Sequence, residues 1–227
     1  MGLSDWKTID VEFADGEVSL SDKYSVSGKY SLTISKVYNV LLCHKKYWGD
    51  IPEIVVTFWV AISSNDEREM VGFGPLIQYL KERCDHQFRK YCVNIYLDPG
   101  NKIEFAYIYY YEYNLPYIYN PWKRAWCLYR RIEIVGEITD DLKNIIGEKW
   151  PPGNWVLYVF KTDGSHLSLY ISEPIEKPKP KEIPPLYKVI DNKYVTWYAG
   201  LDGHKGLYLG SSKPYFLYVD DYKIYDP

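Results

Sequence analysis

No run of roughly 18 consecutive apolar residues occurs in the chain, so no helix of membrane-crossing length is expected. The opening residues, Met1-Gly2-Leu3-Ser4-Asp5-Trp6-Lys7, lack the basic region and apolar stretch of a secretory signal. The expected location is therefore intracellular or virion-associated, unless a signal has been removed. A basic excess is also missing: the net charge of −3 leaves nothing to neutralise a phosphate backbone, and nucleic acid is excluded as an expected partner. Cys43, Cys84, Cys92 and Cys127 show no CxxC spacing, which disfavours zinc. They read as buried, reduced thiols acting as small hydrophobes. If oxidised, their pairing stays open, with Cys84 to Cys92 across a short loop among the choices. His44, His86, His166 and His204 are scattered, and no serine or cysteine sits in a nucleophile motif. Gly200-Leu201-Asp202-Gly203-His204-Lys205-Gly206 lacks the phosphate-loop pattern and reads as turns.

What the chain has in abundance is aromatic side chains. They make up 18% of its 227 residues, led by 25 tyrosines and 8 tryptophans. Such residues favour strands and also supply flat, amphipathic binding surfaces. With 47% hydrophobic and 25% charged residues, the composition is that of a folded domain. Strand-like runs recur between turn residues. Trp6 to Phe13 alternates and is closed by Ala14-Asp15-Gly16-Glu17; Lys29 to Val37 follows. Pro52 to Ile62 is nearly continuous in β-branched and aromatic residues, as a central strand covered on both faces would be. Asp98-Pro99-Gly100-Asn101 joins Tyr91–Leu97 to Lys102–Tyr110 as a hairpin. Thr162-Asp163-Gly164-Ser165 joins Asn154–Lys161 to His166–Ile171 in the same way. Arg124 to Val135 and Lys213 to Tyr225 supply further strands.

Helical signal is scarce. Thr139 to Gly147 predicts one or two turns, with Thr139 as N-cap, and Leu76 to Lys90 holds a second short candidate. The prolines of 173–185 favour extended polyproline II and cannot complete a ladder. The expectation is an all-β fold: an antiparallel β-sandwich (jelly roll) with one or two short helices. It is expected to form a single domain over 1–227, with 173–185 as a Pro-rich surface loop.

Three segments carry a resemblance. Ile9-Asp10-Val11-Glu12-Phe13-Ala14-Asp15-Gly16 is followed by Ser27-Gly28-Lys29-Tyr30-Ser31-Leu32-Thr33-Ile34, and the chain finishes on Tyr215 to Tyr225 with Val219-Asp220-Asp221. In that order they resemble the concanavalin A-like (laminin-G-like) lectin and glucanase jelly-roll group, and β-sandwich carbohydrate-binding modules. Trp155 to Val159 and Leu167 to Ile171 are similar to that group's inner hairpin. The resemblance implies first and last strands lying side by side, with glycan binding as the commonest role. Glycoside hydrolases and polysaccharide lyases are the enzymatic relatives it implies.

A glycosidase needs two carboxyls flanking one sugar bond. Glu133 and Glu137 would share one strand face, about 13 Å apart at roughly 3.3 Å per residue. Val135 stands where the related glucanases carry an intermediate aspartate, so the pair is a weak catalytic candidate and no catalytic residue is assigned. No cofactor is required. A structural Ca²⁺, which the resemblance implies near the chain ends, would be held by Glu12 and Asp220. The densest aromatic stretch supplies the ligand-binding candidates Tyr111, Tyr113, Tyr117, Tyr119 and Trp122. Flat rings suit the apolar C–H faces of sugars, and also protein partners. The expected function is a non-catalytic, lectin-like carbohydrate-binding or adhesive module. The alternatives are a structural or assembly protein (a virion or cell-surface component, including a homo-oligomer) and a glycan-active enzyme.

Overall fold

The computed structural model describes residues 3–63, 71–81, 88–97, 106–113, 118–120, 125–127, 130–137, 150–194, 201–211 and 217–226. Apart from a 3-10 turn at Leu3–Asp5, every regular element among them is a strand. These are β1 (Trp6–Ser21), β2 (Ser31–Trp48), β3 (Ile54–Ile62), β4 (Val71–Lys81), β5 (Phe88–Leu97), β6 (Ala106–Tyr113) and β7 (Ile118–Asn120). They continue with β8 (Ala125–Cys127), β9 (Arg130–Glu137), β10 (Trp155–Thr162), β11 (His166–Ser172), β12 (Leu186–Tyr194), β13 (Gly203–Ser211) and β14 (Leu217–Tyr225). No helix among the described residues is long and apolar enough to cross a membrane.

The strands pair antiparallel in the order β12-β11-β10-β3-β14-β2-β13-β4-β5-β6-β9, with β1 beside β2 and with β7 and β8 paired to each other. Long β2 turns this ladder into a sandwich. Its Leu32–Ile34 end pairs with β14, whereas Val40 to Trp48 pairs with β13. One strand thus serves both layers. That the layers face each other follows from ring contacts between strands remote in the ladder. Phe73 of β4 lies edge-on to Phe58 of β3 at 6.4 Å and to Tyr158 of β10 at 5.9 Å. Three strands separate β3 from β4 in the pairing order. Only face-to-face packing brings these rings together.

The pleat alternates side chains between faces, and β3 and β10 use both. Phe58, Val60, Ile62, Val156, Tyr158 and Phe160 enter the core between the layers. Trp59, Ala61, Trp155 and Leu157 enter a second cluster on the outer face, joined by Tyr218 and Val26. This double burial is the physical reason for the unbroken apolar run at 54–62. Each large side chain so buried contributes about 1.5–3 kcal/mol.

Covering the outer face requires a loop to be fastened there, and Asp220 does so. Its Oδ2 accepts from the Val26 and Ser27 amides at 2.7 and 2.8 Å. Its Oδ1 accepts from the Asp221 amide at 2.7 Å and the Ser27 hydroxyl at 3.4 Å. The β14–β3 register shifts between Asp220 and Lys223, and Asp221 adopts φ 52°. The extra residue returns Tyr222 to the inner core although Asp220 faces outward.

The hairpin expected at 162–165 is present: β10 and β11 pair from Thr162↔Leu167 to Tyr158↔Ile171. Gly164 takes φ 88°, and Asp163 Oδ1 accepts from the Ser165 and His166 amides at 2.7 and 2.6 Å. β5 and β6 pair as expected from Leu97↔Ala106 onward; their connection lies outside the described residues, as does the helix expected at 139–147.

Other expectations are corrected. Ala14–Glu17 does not end β1, because β2 continues to pair on either side and the extra residue is absorbed as a register shift between Ala14 and Glu17. Leu76 to Lys81 and Phe88 to Lys90 are strand, paired with each other from Leu76↔Cys92 to Lys81↔Phe88. Arg124 to Val135 divides into β8 and β9. The first and last strands are not ladder neighbours, since β2 lies between them. They meet instead through the Trp6 and Tyr222 rings, 5.2 Å apart. The 173–185 segment contains no strand, but Ile175 exchanges two backbone hydrogen bonds with Trp155 at 2.8 Å.

Removing the Asp220 carboxylate leaves inward amides without acceptors, at about 1–3 kcal/mol for each buried group. Asp220→Ala is expected to lower the urea midpoint markedly, and Asp220→Asn, which keeps an acceptor, to lower it less. Equal midpoints for wild type and Asp220→Ala would contradict this role.

Candidate functional site

At its C-terminal end β2 reads Leu42-Cys43-His44-Lys45-Lys46-Tyr47-Trp48. Here its register against β13 breaks. Tyr47 pairs with His204 and Cys43 with Gly206, so β2 carries two residues more than β13 over this interval. A bulge of this kind withdraws backbone groups from the ladder, and those groups need other partners. Two imidazoles provide them. His204 Nδ1 lies 3.1 Å from the His44 carbonyl and 2.9 Å from the Lys46 carbonyl. Carbonyls only accept, so Nδ1 of His204 carries the proton. His44 Nδ1 accepts from the Lys46 amide at 3.1 Å and is therefore the bare nitrogen. Burial is the leading cause holding the His44 pKa below its ordinary value, opposed by Asp5 and assisted by Lys46 and His204. The neutral ring that the Lys46 bond requires is thereby favoured.

Aromatic rings gather around this bulge. His44 meets Trp6 and Trp48 edge-on, each at 5.5 Å. The Lys46 ammonium sits 4.8 Å over the Trp48 ring. Tyr47 stands perpendicular to His204 at 5.4 Å and remains 54% exposed. Its hydroxyl donates to Asp202 Oδ2 at 3.4 Å. Tyr47, Asp202 and His204 thus form a half-open patch with one ring face and several polar atoms.

The patch is held from below by Lys205, a fully buried lysine. Its ammonium donates to the Leu201 carbonyl and, at 3.3 Å, to the Asp202 carbonyl. Burial pulls its pKa down to about 8, against the Asp202 and Asp50 carboxylates, which favour the charged form. Gly206 beside it can be nothing larger, since a Cβ would collide with the Leu42 carbonyl. The Tyr222 hydroxyl donates to the Gly206 carbonyl at 3.0 Å, and burial pushes the Tyr222 pKa up.

None of these residues was singled out in the sequence for a site. The 200–206 stretch read as turns, yet β13 begins at Gly203. His44 and His204 are 160 positions apart, and only the strand register brings them together.

The residues that were singled out lie elsewhere. Tyr111 and Tyr113 are in β6, opposite Ile132 and Arg130 of β9. Tyr119 is in β7, opposite Trp126. Tyr117 and Trp122 lie outside the described residues. Glu133 pairs with Tyr110 and Glu137 with Tyr107, with a register shift between Ile108 and Tyr109. Glu12 pairs with Asn39, and Asp220 pairs with Trp59. Asp220 does not fit a calcium ligand, because N–H and O–H donors already occupy both of its oxygens. No group of three or more His, Cys, Asp or Glu side chains suited to a metal gathers among the described residues. Cys43 is a buried thiol donating to the His44 carbonyl at 3.4 Å.

Lys205 makes a signed prediction. Its folded pKa of about 8 lies below the ordinary 10.5, so the unfolded chain binds more protons between those values and stability rises with pH there. Wild type should gain up to about 3 kcal/mol relative to Lys205→Met between pH 8 and 10.5 in chemical denaturation. A difference that stays constant with pH would count against this assignment.

No protein-family model matches the chain, and no characterised protein matches its sequence. Among solved structures it is similar to the carbohydrate-binding module CBM66 from Bacillus subtilis, with 8% identity over 97% of this chain and 94% of that one, at a TM-score of 0.46. It is similar to the exoplasmic/lumenal domain of VIP36 in a Ca²⁺/Man3GlcNAc-bound form, with 9% identity, coverage of 100% and 85%, and a TM-score of 0.49. A legume lectin-like domain from Entamoeba histolytica gives 10% identity, coverage of 99% and 91%, and a TM-score of 0.45. These structural neighbours are described as carbohydrate-binding and lectin-like domains.

Proposed function

We propose that this chain is a non-catalytic, lectin-like carbohydrate-binding module. The observation that carries the reading is the Tyr47 ring: 54% exposed, set perpendicular to His204, with its hydroxyl directed to Asp202. A sugar offers an apolar C–H face to such a ring and hydroxyls to polar groups beside it. A few fixed polar groups then set orientation and specificity. Carbohydrate-binding and lectin-like domains stand among the solved structures to which the chain is similar. Tyr111, Tyr113, Tyr117, Tyr119 and Trp122 remain proposed contacts of a second aromatic surface. The reading uses no catalytic residue and no metal.

A second reading, an assembly role through protein contacts, is favoured by side chains near the β12 edge. Ile183 is 78% exposed and Tyr194 61%. Light scattering after size-exclusion chromatography separates the two, since an assembly role requires an oligomer.

The full chain should be retained on at least one insoluble polysaccharide or glycan-array spot. Tyr47→Ala should weaken that binding about tenfold, the order expected for loss of an aromatic contact. Silence of the wild-type chain across both formats would sink the carbohydrate reading.

A further inference from the structure

We propose that Ile183-Pro184-Pro185-Leu186-Tyr187 is a displayed ligand for a second protein, one whose groove is lined by aromatic rings and rimmed by acids, as in WW-type domains. The proposal is independent of the Tyr47 patch and of the carbohydrate reading.

Exposure alternates along this segment. Ile183 is 78% exposed and Tyr187 38%, and Pro185 between them is exposed as well. Pro184 and Leu186 are partly covered, and Leu186 packs against the outer cluster. An extended chain turns successive side chains to opposite sides. The fold therefore holds Leu186 down and leaves Ile183, Pro185 and Tyr187 as one outward stripe. β12, which begins at Leu186, ends the ladder, with β11 as its neighbour among the described residues.

The segment is fixed before any partner arrives. Ile175 is tied to Trp155 by two backbone hydrogen bonds of 2.8 Å, and Leu186 and Tyr187 pair with Ser172 and Ile171. Between these anchors the Glu182 amide donates to the Lys179 carbonyl at 3.0 Å, and the Lys179 ammonium meets Glu182 Oε1 at 2.9 Å. Pro184 and Pro185 have φ set by their rings. A chain so held gives up little freedom on docking, which is the advantage that polyproline ligands offer to aromatic grooves. Residues 182–185 lie outside any ladder, so the Ile183 and Pro184 carbonyls can accept from a partner.

Spacing selects the kind of groove. No two of Pro174, Pro178, Pro180, Pro184 and Pro185 stand three positions apart, so the P-x-x-P pattern is missing. What remains is a proline pair followed at Tyr187 by a ring bearing a hydroxyl. That hydroxyl donates to exposed Glu173 at 2.8 Å, a bond that water or a partner can readily replace. Lys177, Lys179 and Lys181 lead into the stripe and supply the charge that an acidic rim meets.

The test is calorimetric titration of the full chain against an isolated WW domain of the class that reads Pro-Pro-x-Tyr, with an SH3 domain as comparison. A saturable isotherm with the WW domain alone is expected. Tyr187→Ala and Pro185→Ala should each weaken it about tenfold, the order for truncating an interface anchor. Tyr225→Ala, which removes an exposed ring on β14, should leave it unchanged. Circular dichroism melts establish that each variant is folded, and Pro185→Ala lies outside any ladder should Tyr187→Ala unfold. The proposal is overturned by a wild type that gives no saturable isotherm or prefers the SH3 domain, and by affinity unchanged in both stripe variants. A wild-type dimer that Tyr187→Ala dissolves overturns it too, because the stripe then belongs to a second copy.

Discussion

β2 is shared by the two layers of the sandwich, and the other arrangements depend on that sharing. Where it pairs with β14 it holds the layer containing β3 and β10; where it pairs with β13 it holds the layer containing β4. A strand that changes partners along its length cannot keep a uniform register on every side. The mismatch collects between Cys43 and Tyr47 as extra residues, and the neighbouring rings and imidazoles are organised around it.

Three polar side chains in this protein share one task. Asp220 fastens a loop to the outer face, His204 gathers the carbonyls released by the bulge, and Lys205 ties the backbone under Asp202. Asp220 and Lys205 are buried, which is costly unless their hydrogen-bonding capacity is met, and His204 is half-buried. In each case the partners are backbone atoms that lack a regular ladder partner. The side chain's need and the backbone's need are met by the same contact.

Much of the fold was legible because its causes are local. The run at 54–62 reads as a doubly covered strand, since both parities are apolar, and Asp163-Gly164 announces its hairpin by turn chemistry alone. The site was not legible in that way. Polar residues such as His44, Lys45 and Lys46 look like a strand's end, whereas β2 runs on through them to Trp48. Lys205 looks like a solvated turn residue, and nothing within its own segment signals a buried ammonium. Ala14 to Glu17 illustrates the converse: its turn chemistry announces an end to β1, and a single register shift carries the strand through. Periodicity describes a strand by itself; bulges are decided between strands.

The outer cluster on β3 and β10 has a consequence for where any guest molecule is received. Val26 and Tyr24 from one loop, Ile175 from the proline-rich passage and Leu186 at the start of β12 roof over Trp59, Trp155 and Leu157. Over these strands that flank of the sandwich is closed, because its largest indole rings are already occupied by the chain's own connections. In the proposed binding role, recognition would fall instead at a rim, where strands change partners and side chains emerge between them.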